Sequence, residues 1–488
     1  MRRRFMEHTG HVKINRKDIP YHLKDDKVAL IPHNINRGIT FWPSPIEERD
    51  MLRGITTGNR EVIFLKCRYN NNWLAYQAIV VSDSNTGFLK DITSFDRICF
   101  EGKPVNVFVG PGRAYVSEDG DDISKRMKSI TPKNWEDLNV STNIKIRNRE
   151  MKLSINYIVS HNKKYADPSM GEAIPQFCIE YSKSMSVKKI PQIYLMMYDF
   201  FSFLNFRRNI VFDNILLQRE IEGRYMTIAK VFVNSQDLGE FTNTERNSII
   251  IDDCHEYFGD LFKCVVQRRQ QKIYDNFYIP QNGKESTQVT YEKYLSCALS
   301  FESEYSRLYP SKKEENEKYA YIYDMFQASA DKMNILFSLA AEGNISREEF
   351  ERCFYGDVNS KIKKLFSNTS KSKVKPYQGY YNKIVDALSK IDYSLGEKYK
   401  NALCIHKSIV KPVIDKMSSA NNVVFPNEDE AGKMFAEFRN GIAHGNPQDI
   451  EQIHCVLFEV ARALIYIMIL KNAGLKDEDV KNIVKKMF

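Results

Sequence analysis

The sequence predicts an α+β multidomain chain: a β-rich first half, sandwich-like and antiparallel with helices added, followed by an all-α helical bundle. Two observations carry this. Short β-type runs separated by turn-formers fill the chain to about residue 185, and strand signals nearly vanish after residue 288, where helical periodicity takes over. Length agrees, because 488 residues exceed what one ordinary core serves. The division falls at the polar stretch IPQNGKESTQ, giving domains 1–287 and 288–488.

In chain order, the β-type runs are KVALIPH (27–33), EVIFLKC (61–67), NWLAYQAIVV (72–81), VNVFVG (105–110), KLSINYIV (152–159) and IPQFCIEY (174–181). Between them lie NNN, SDSNTG, GPG and SEDGDD, which favour turns. Residues 190–218 read as a buried helix giving way at NFRRN to a strand; 223–233 reads as a strand and 253–269 as a helix. From 289 to 309, Tyr294, Cys297, Ala298, Phe301, Tyr305 and Leu308 form one apolar stripe that Pro310 stops. Further helical stretches cover 317–343, 346–356, 378–391 and 397–417, with a basic polar loop at 367–376.

Composition narrows the function classes. With 43% hydrophobic and 27% charged residues the chain is globular, and a formal charge of +9 favours a polyanionic partner without demanding one. Nine cysteines, odd in number and never spaced as CxxC, point to a reducing cytoplasm and away from a disulfide framework or zinc knuckle. The N-terminus has a basic start but no apolar run behind it, so it does not read as a secretion signal. The greasiest segment, 456–470, is interrupted by Glu459 and Arg462 and falls short of the roughly 18 apolar residues a membrane span requires, so no membrane partner is expected. His8, His11, His22 and His33 have no ligand spacing for zinc, Cys404 and His406 stand too close for a catalytic dyad, and VGPGRAY reads as a hairpin turn. No Walker-type sequence appears. His454 reads as a core or interface histidine.

The segment AEFRNGIAHGNPQDI (436–450) is different. Asn427 or Asp429 is placed to cap a helix that buries Phe435, Phe438 and Ile442 and ends at His444, with Gly445 as its left-handed terminator and Pro447 beyond. Arg439 and His444 then lie about 140° apart around an ideal helix and do not share a face. Two remedies exist: unwinding near Gly441 and Gly445, or a second copy of the segment supplied by a symmetric dimer. The chemistry suits RNA. A histidine titrating near neutrality can take the proton of a ribose 2′-hydroxyl or give one to the leaving 5′-oxygen, and an arginine fork stabilises the phosphate charge. The 2′-hydroxyl is itself the nucleophile, so neither a metal nor a cofactor is required, and DNA would be spared. Asn440 is placed to orient the histidine or hold the phosphate. The plainer reading is a solvated arginine and a helix-terminal histidine favoured by the dipole.

The string FRNGIAHG resembles the R-x4-6-H motif of HEPN-domain ribonucleases. CALSFESEYSRLYP is similar to the opening helix of the HEPN domains of ApeA-like anti-phage proteins, and IPQIYLMMYDFFSFLNFRRNIVFDNILL with the β-rich text before it is similar to the ApeA N-terminal domain. The resemblance covers nearly the whole chain and is specific at 438–445. It implies an endoribonuclease with its active site at a homodimer interface, serving phage defence by abortive infection. RNA, with tRNA often the target in that family, would be the substrate, and a phage-derived trigger would act on the first half. Carried over, Arg439 and His444 take the catalytic places and Asn440 the polar one. Glu302 is the helix-one acid, with Glu304 its alternative. A second possibility is a non-catalytic helical module that dimerises or binds nucleotide, beside a β domain that engages protein or carbohydrate.

Overall fold

The computed structural model describes residues 8–14, 16–24, 27–31, 47–70, 73–83, 91–117, 130–132, 140–146, 149–160, 172–234, 238–271, 277–285, 288–311 and 392–488, with isolated positions between 312 and 391. The helices expected at 317–343, 346–356 and 378–391 and the loop at 367–376 therefore lie outside, or almost outside, the described residues.

The first half is β-rich as expected. Its strands are β1 (His8–Ile14), β2 (Lys17–Lys24), β3 (Lys27–Leu30), β4 (Glu47–Thr56), β5 (Glu61–Asn70), β6 (Trp73–Ala75), β7 (Ala78–Ser82), β8 (Ser94–Glu101), β9 (Tyr115–Ser117), β10 (Ile130–Pro132), β11 (Val140–Ile146), β12 (Arg149–Ser160), β13 (Glu172–Ser186), β14 (Asn214–Ile221) and β15 (Arg224–Val233). All but β9 and β10 join one antiparallel sheet in the order β11-β12-β13-β8-β14-β15-β7-β5-β4-β1-β2-β3-β6. The last strand, β6, returns to pair with β5, so one end of the sheet closes into a barrel. Strand alternation divides two cores. β5 points Val62 and Phe64 into the barrel and Ile63 and Leu65 toward the helices, and β7 does the same with Ile79 and Val81 against Ala78 and Val80.

The helices are α1 (Lys103–Val109), α2 (Ile190–Asn205), α3 (Ile251–Cys254), α4 (Phe258–Gln270), α5 (Tyr291–Leu308), α6 (Leu395–Ile405), α7 (Lys407–Asn421), α8 (Glu428–Ala443), α9 (Gln452–Asn472) and α10 (Asp477–Met487). The VNVFVG run is thus helical, not a strand. Pro104 starts α1, and Val105, Phe108 and Val109 reach the core at helical spacing. The run at 72–81 breaks into β6 and β7, and the stretch at 397–417 breaks into α6 and α7 at His406.

The two halves share one core. Tyr466 on α9 stacks on Phe203 at the end of α2, ring centroids 4.7 Å apart, and donates its hydroxyl to the Phe203 carbonyl at 2.7 Å. Four residues earlier, Arg462 lays its guanidinium 4.3 Å over Phe206. Among the described residues α9 is the one helix long and apolar enough to cross a membrane, and 89% of its apolar window is buried inside the protein.

Candidate functional site

The site is built on α8. Asn427 caps it, its side chain accepting the Glu430 amide at 3.0 Å, and three acidic residues follow in the first turn, where the helix dipole favours them. Lys400 and Lys407 pair with Asp429 and Glu428 at 2.6 and 2.8 Å and fix this end to α6 and α7. Gly432 faces Gly396 of α6 so closely that a Cβ on Gly432 would lie 2.3 Å from the Gly396 carbonyl oxygen. Small residues at both positions let the helices touch and bring Phe435 flat onto Tyr399, 4.4 Å between centroids.

One turn on, Phe438 anchors the working end. Its ring stacks on His454 at 3.9 Å and meets the edge of Tyr294 at 4.7 Å. His454 Nδ1 accepts the Glu451 amide at 3.1 Å, capping α9, and burial holds its pKa below the ordinary imidazole value. The ring is therefore neutral and structural, as a core histidine should be. Sequence reasoning missed this cap; the signal was a histidine three residues after Glu451 at the start of an apolar run.

The helix ends where the sequence placed the end. His444 has φ −95° and ψ 7°, and Gly445 follows at φ +73°. The Gly445 amide reaches the Ile442 carbonyl at 3.2 Å and the Asn446 amide the Gly441 carbonyl at 2.9 Å, which is a Schellman terminus. Gly441 does not unwind the helix, since the His444 amide still bonds the Asn440 carbonyl at 3.0 Å. The first of the two remedies is therefore absent. Arg439 and His444 leave different sides of an intact last turn.

Arg439 is half-buried and donates Nη1 to Asn440 Oδ1 at 3.0 Å, while its buried Nε has no partner. Asn440 thus serves the arginine and not the histidine. His444 is exposed, and among the described residues neither it nor Arg439 is ion-paired with a carboxylate.

The two candidate acids are not brought to this end of α8 within one chain. Glu302 lies eight residues beyond Tyr294, about 12 Å further along α5, with its carboxylate 3.7 Å from Lys398. Lys398 also meets Asp392 and Ser306. Glu304 is buried and ion-paired with Arg268 and Arg307. The start of α5 does touch the motif, with the Tyr291 hydroxyl donating to the Gln448 carbonyl at 3.0 Å.

Two further histidines are occupied elsewhere. His406 is buried against Tyr309 while Cys404 is exposed, and His8 bonds Tyr21. No cluster of three or more His, Cys, Asp or Glu among the described residues is arranged to hold a metal. Compared with known proteins, the chain matches no family model, no curated protein and no solved structure.

Proposed function

We propose that the chain is a metal-independent endoribonuclease of the HEPN type, an anti-phage effector acting in the cytoplasm on RNA, tRNA included. The observation that supports it best is the unneutralised pair at the end of α8: a guanidinium steadied by Asn440, with an unpartnered Nε, and an exposed imidazole one turn away. His444 exchanges the protons of the 2′-hydroxyl and the 5′-leaving oxygen, and Arg439 binds the phosphate oxygens as charge builds on them. Because one intact helix cannot aim both groups at one phosphate, the active species is a homodimer in which two α8 ends face each other. The β-rich half, 1–287, is the sensing and regulatory part of this reading, answering a phage-derived trigger, and 288–488 is the nuclease.

The test is incubation of wild-type, Arg439→Ala and His444→Ala protein with total cellular RNA in EDTA, with mapping of the cut ends. Cleavage by wild type alone, leaving 2′,3′-cyclic phosphates or their 3′-phosphate products, is the expected result; undiminished cleavage by His444→Ala overturns the assignment. Sedimentation of a dilute sample checks the dimer, and a monomer that still cuts removes the composite site.

One observation favours a second reading. Glu302 and Glu304 are both engaged away from the motif, and among the described residues no carboxylate is ion-paired with His444. A non-catalytic helical module that dimerises or binds nucleotide needs none. Well-folded dimeric protein that cuts no RNA, with or without phage infection of the host cell, would favour this alternative.

A further inference from the structure

Where α4 of the β-rich half meets α5 of the helical half, a buried charged group stands apart from the motif. Arg268 on α4 is 2% exposed and ion-paired with Glu304 on α5, itself 1% exposed. Arg307, one turn further along α5, donates Nη2 to the other carboxylate oxygen of Glu304 at 3.0 Å. Two guanidiniums therefore share one carboxylate. Among the described residues no second carboxylate pairs with either arginine, and the buried Nε of Arg307 has no hydrogen-bond partner. The Arg268 side chain otherwise meets the Cys264 thiol, to which it is hydrogen-bonded, and the ring of Phe277, 5.2 Å from its Cζ. Burial, and then repulsion from Arg307, pull the Arg268 guanidinium down to about 10, so it remains charged at neutral pH.

Two buried cations that share a single counter-charge, and a buried donor left unsatisfied, are both destabilising. One further anion would remove both penalties. The donors belong to two planar forks, a pattern that suits an oxyanion with three or more oxygens better than a carboxylate with two. Arg307 is 23% exposed at its side chain, which gives the cluster a face toward solvent.

We infer that the Arg268–Glu304–Arg307 cluster is a binding site for a phosphoryl group, held between the two guanidiniums at the junction of the halves. The inference does not depend on ribonuclease activity. It is tested by equilibrium dialysis of the full chain against radiolabelled orthophosphate at fixed ionic strength in chloride. Wild type should bind saturably and Arg307→Gln at least tenfold more weakly, while Lys416→Gln, an exposed change on α7, binds as wild type. No saturable binding, or equal affinity in wild type and Arg307→Gln, overturns it. Should Arg307→Gln fail to fold, thermal unfolding of wild type decides: a midpoint that rises saturably with phosphate but not with chloride is expected, and no such rise overturns the site. A 5′-nucleoside monophosphate that displaces the label more tightly than phosphate identifies a nucleotide as the source of the group; one no tighter identifies free phosphate.

Discussion

Acidification should loosen the helical half through one histidine. His406 joins α6 to α7, is buried, and bonds the Tyr309 hydroxyl through Nε2 at 2.5 Å. Burial pushes that tyrosine up to about 12, so its hydroxyl keeps its proton and shares one hydrogen bond with the neutral imidazole. Burial likewise pulls the His406 imidazole from its ordinary value near 6.5 down to about 4. The unfolded chain therefore binds a proton that the folded chain refuses. Stability is complete above pH 6.5, falls as the pH drops below it, and levels off near pH 4. At about 1.4 kcal/mol per pH unit this interval is worth about 3 kcal/mol. Urea unfolding of wild type and His406→Gln at pH 7.5, 6.5, 5.5 and 4.5 measures it. The variant should be less stable at pH 7.5 and lose less on acidification, the curves converging by about 2–3 kcal/mol. Parallel pH dependence in the two proteins would refute the reasoning, because another group would then carry the acid sensitivity.

Substitutions along α8 should separate support from chemistry. Arg439→Ala and His444→Ala remove half-exposed and exposed side chains, so unfolding midpoints should move by no more than about 1 kcal/mol while RNA cleavage is lost. Phe438→Ala empties the slot between His454 and Tyr294 and should destabilise by about 3–5 kcal/mol in urea titration. Gly432→Ala drives a methyl group into the Gly396 carbonyl, backbone that cannot swing aside; a loss of about 1–3 kcal/mol is expected, and an unchanged midpoint would show that α6 and α8 do not touch there.

Much of α8 was legible because each of its signals is local. A capping asparagine, apolar residues at 435 and 438, a glycine after the histidine and a proline beyond it act within a few residues of one another. Partners set by tertiary packing were not legible. Nothing local distinguishes Glu302 from Glu304, yet Lys398 meets the first and two arginines hold the second. The strands missed ahead of the first recognised run fail for a related reason. In HTGHVKI only Gly10, Val12 and Ile14 face inward, and KDIPYHLK carries a proline, so the alternation is diluted by residues facing solvent on the barrel. VNVFVG misled because its apolar residues satisfy a strand pattern and a helix pattern at once, and only the preceding Pro104 and the terminal Gly110 decide.

The shared core constrains how any signal travels between the halves. If the halves parted, Tyr466, Phe203 and Phe206 would be exposed, each losing about 1.5–3 kcal/mol of burial, and the buried Phe203 carbonyl would lose its hydroxyl partner. Glu304 would also leave Arg268, and breaking a buried ion pair costs about 3–5 kcal/mol. Together these exceed the differential affinity of most ligands, so a ligand that acted on one half would have to work within the assembled core and not by releasing one half from the other. The element placed to carry such a change is α5. Glu304 near its C-terminal end meets Arg268 of the first half, and Tyr291 and Tyr294 at its N-terminal end brace Gln448 and Phe438 on either side of the Arg439–His444 turn. An anion at one end that shifts this helix along its axis moves the aromatic floor at the other. If the arginine cluster binds an anion as inferred, α5 is the element that connects it, over some 20 Å along the helix, to the α8 terminus.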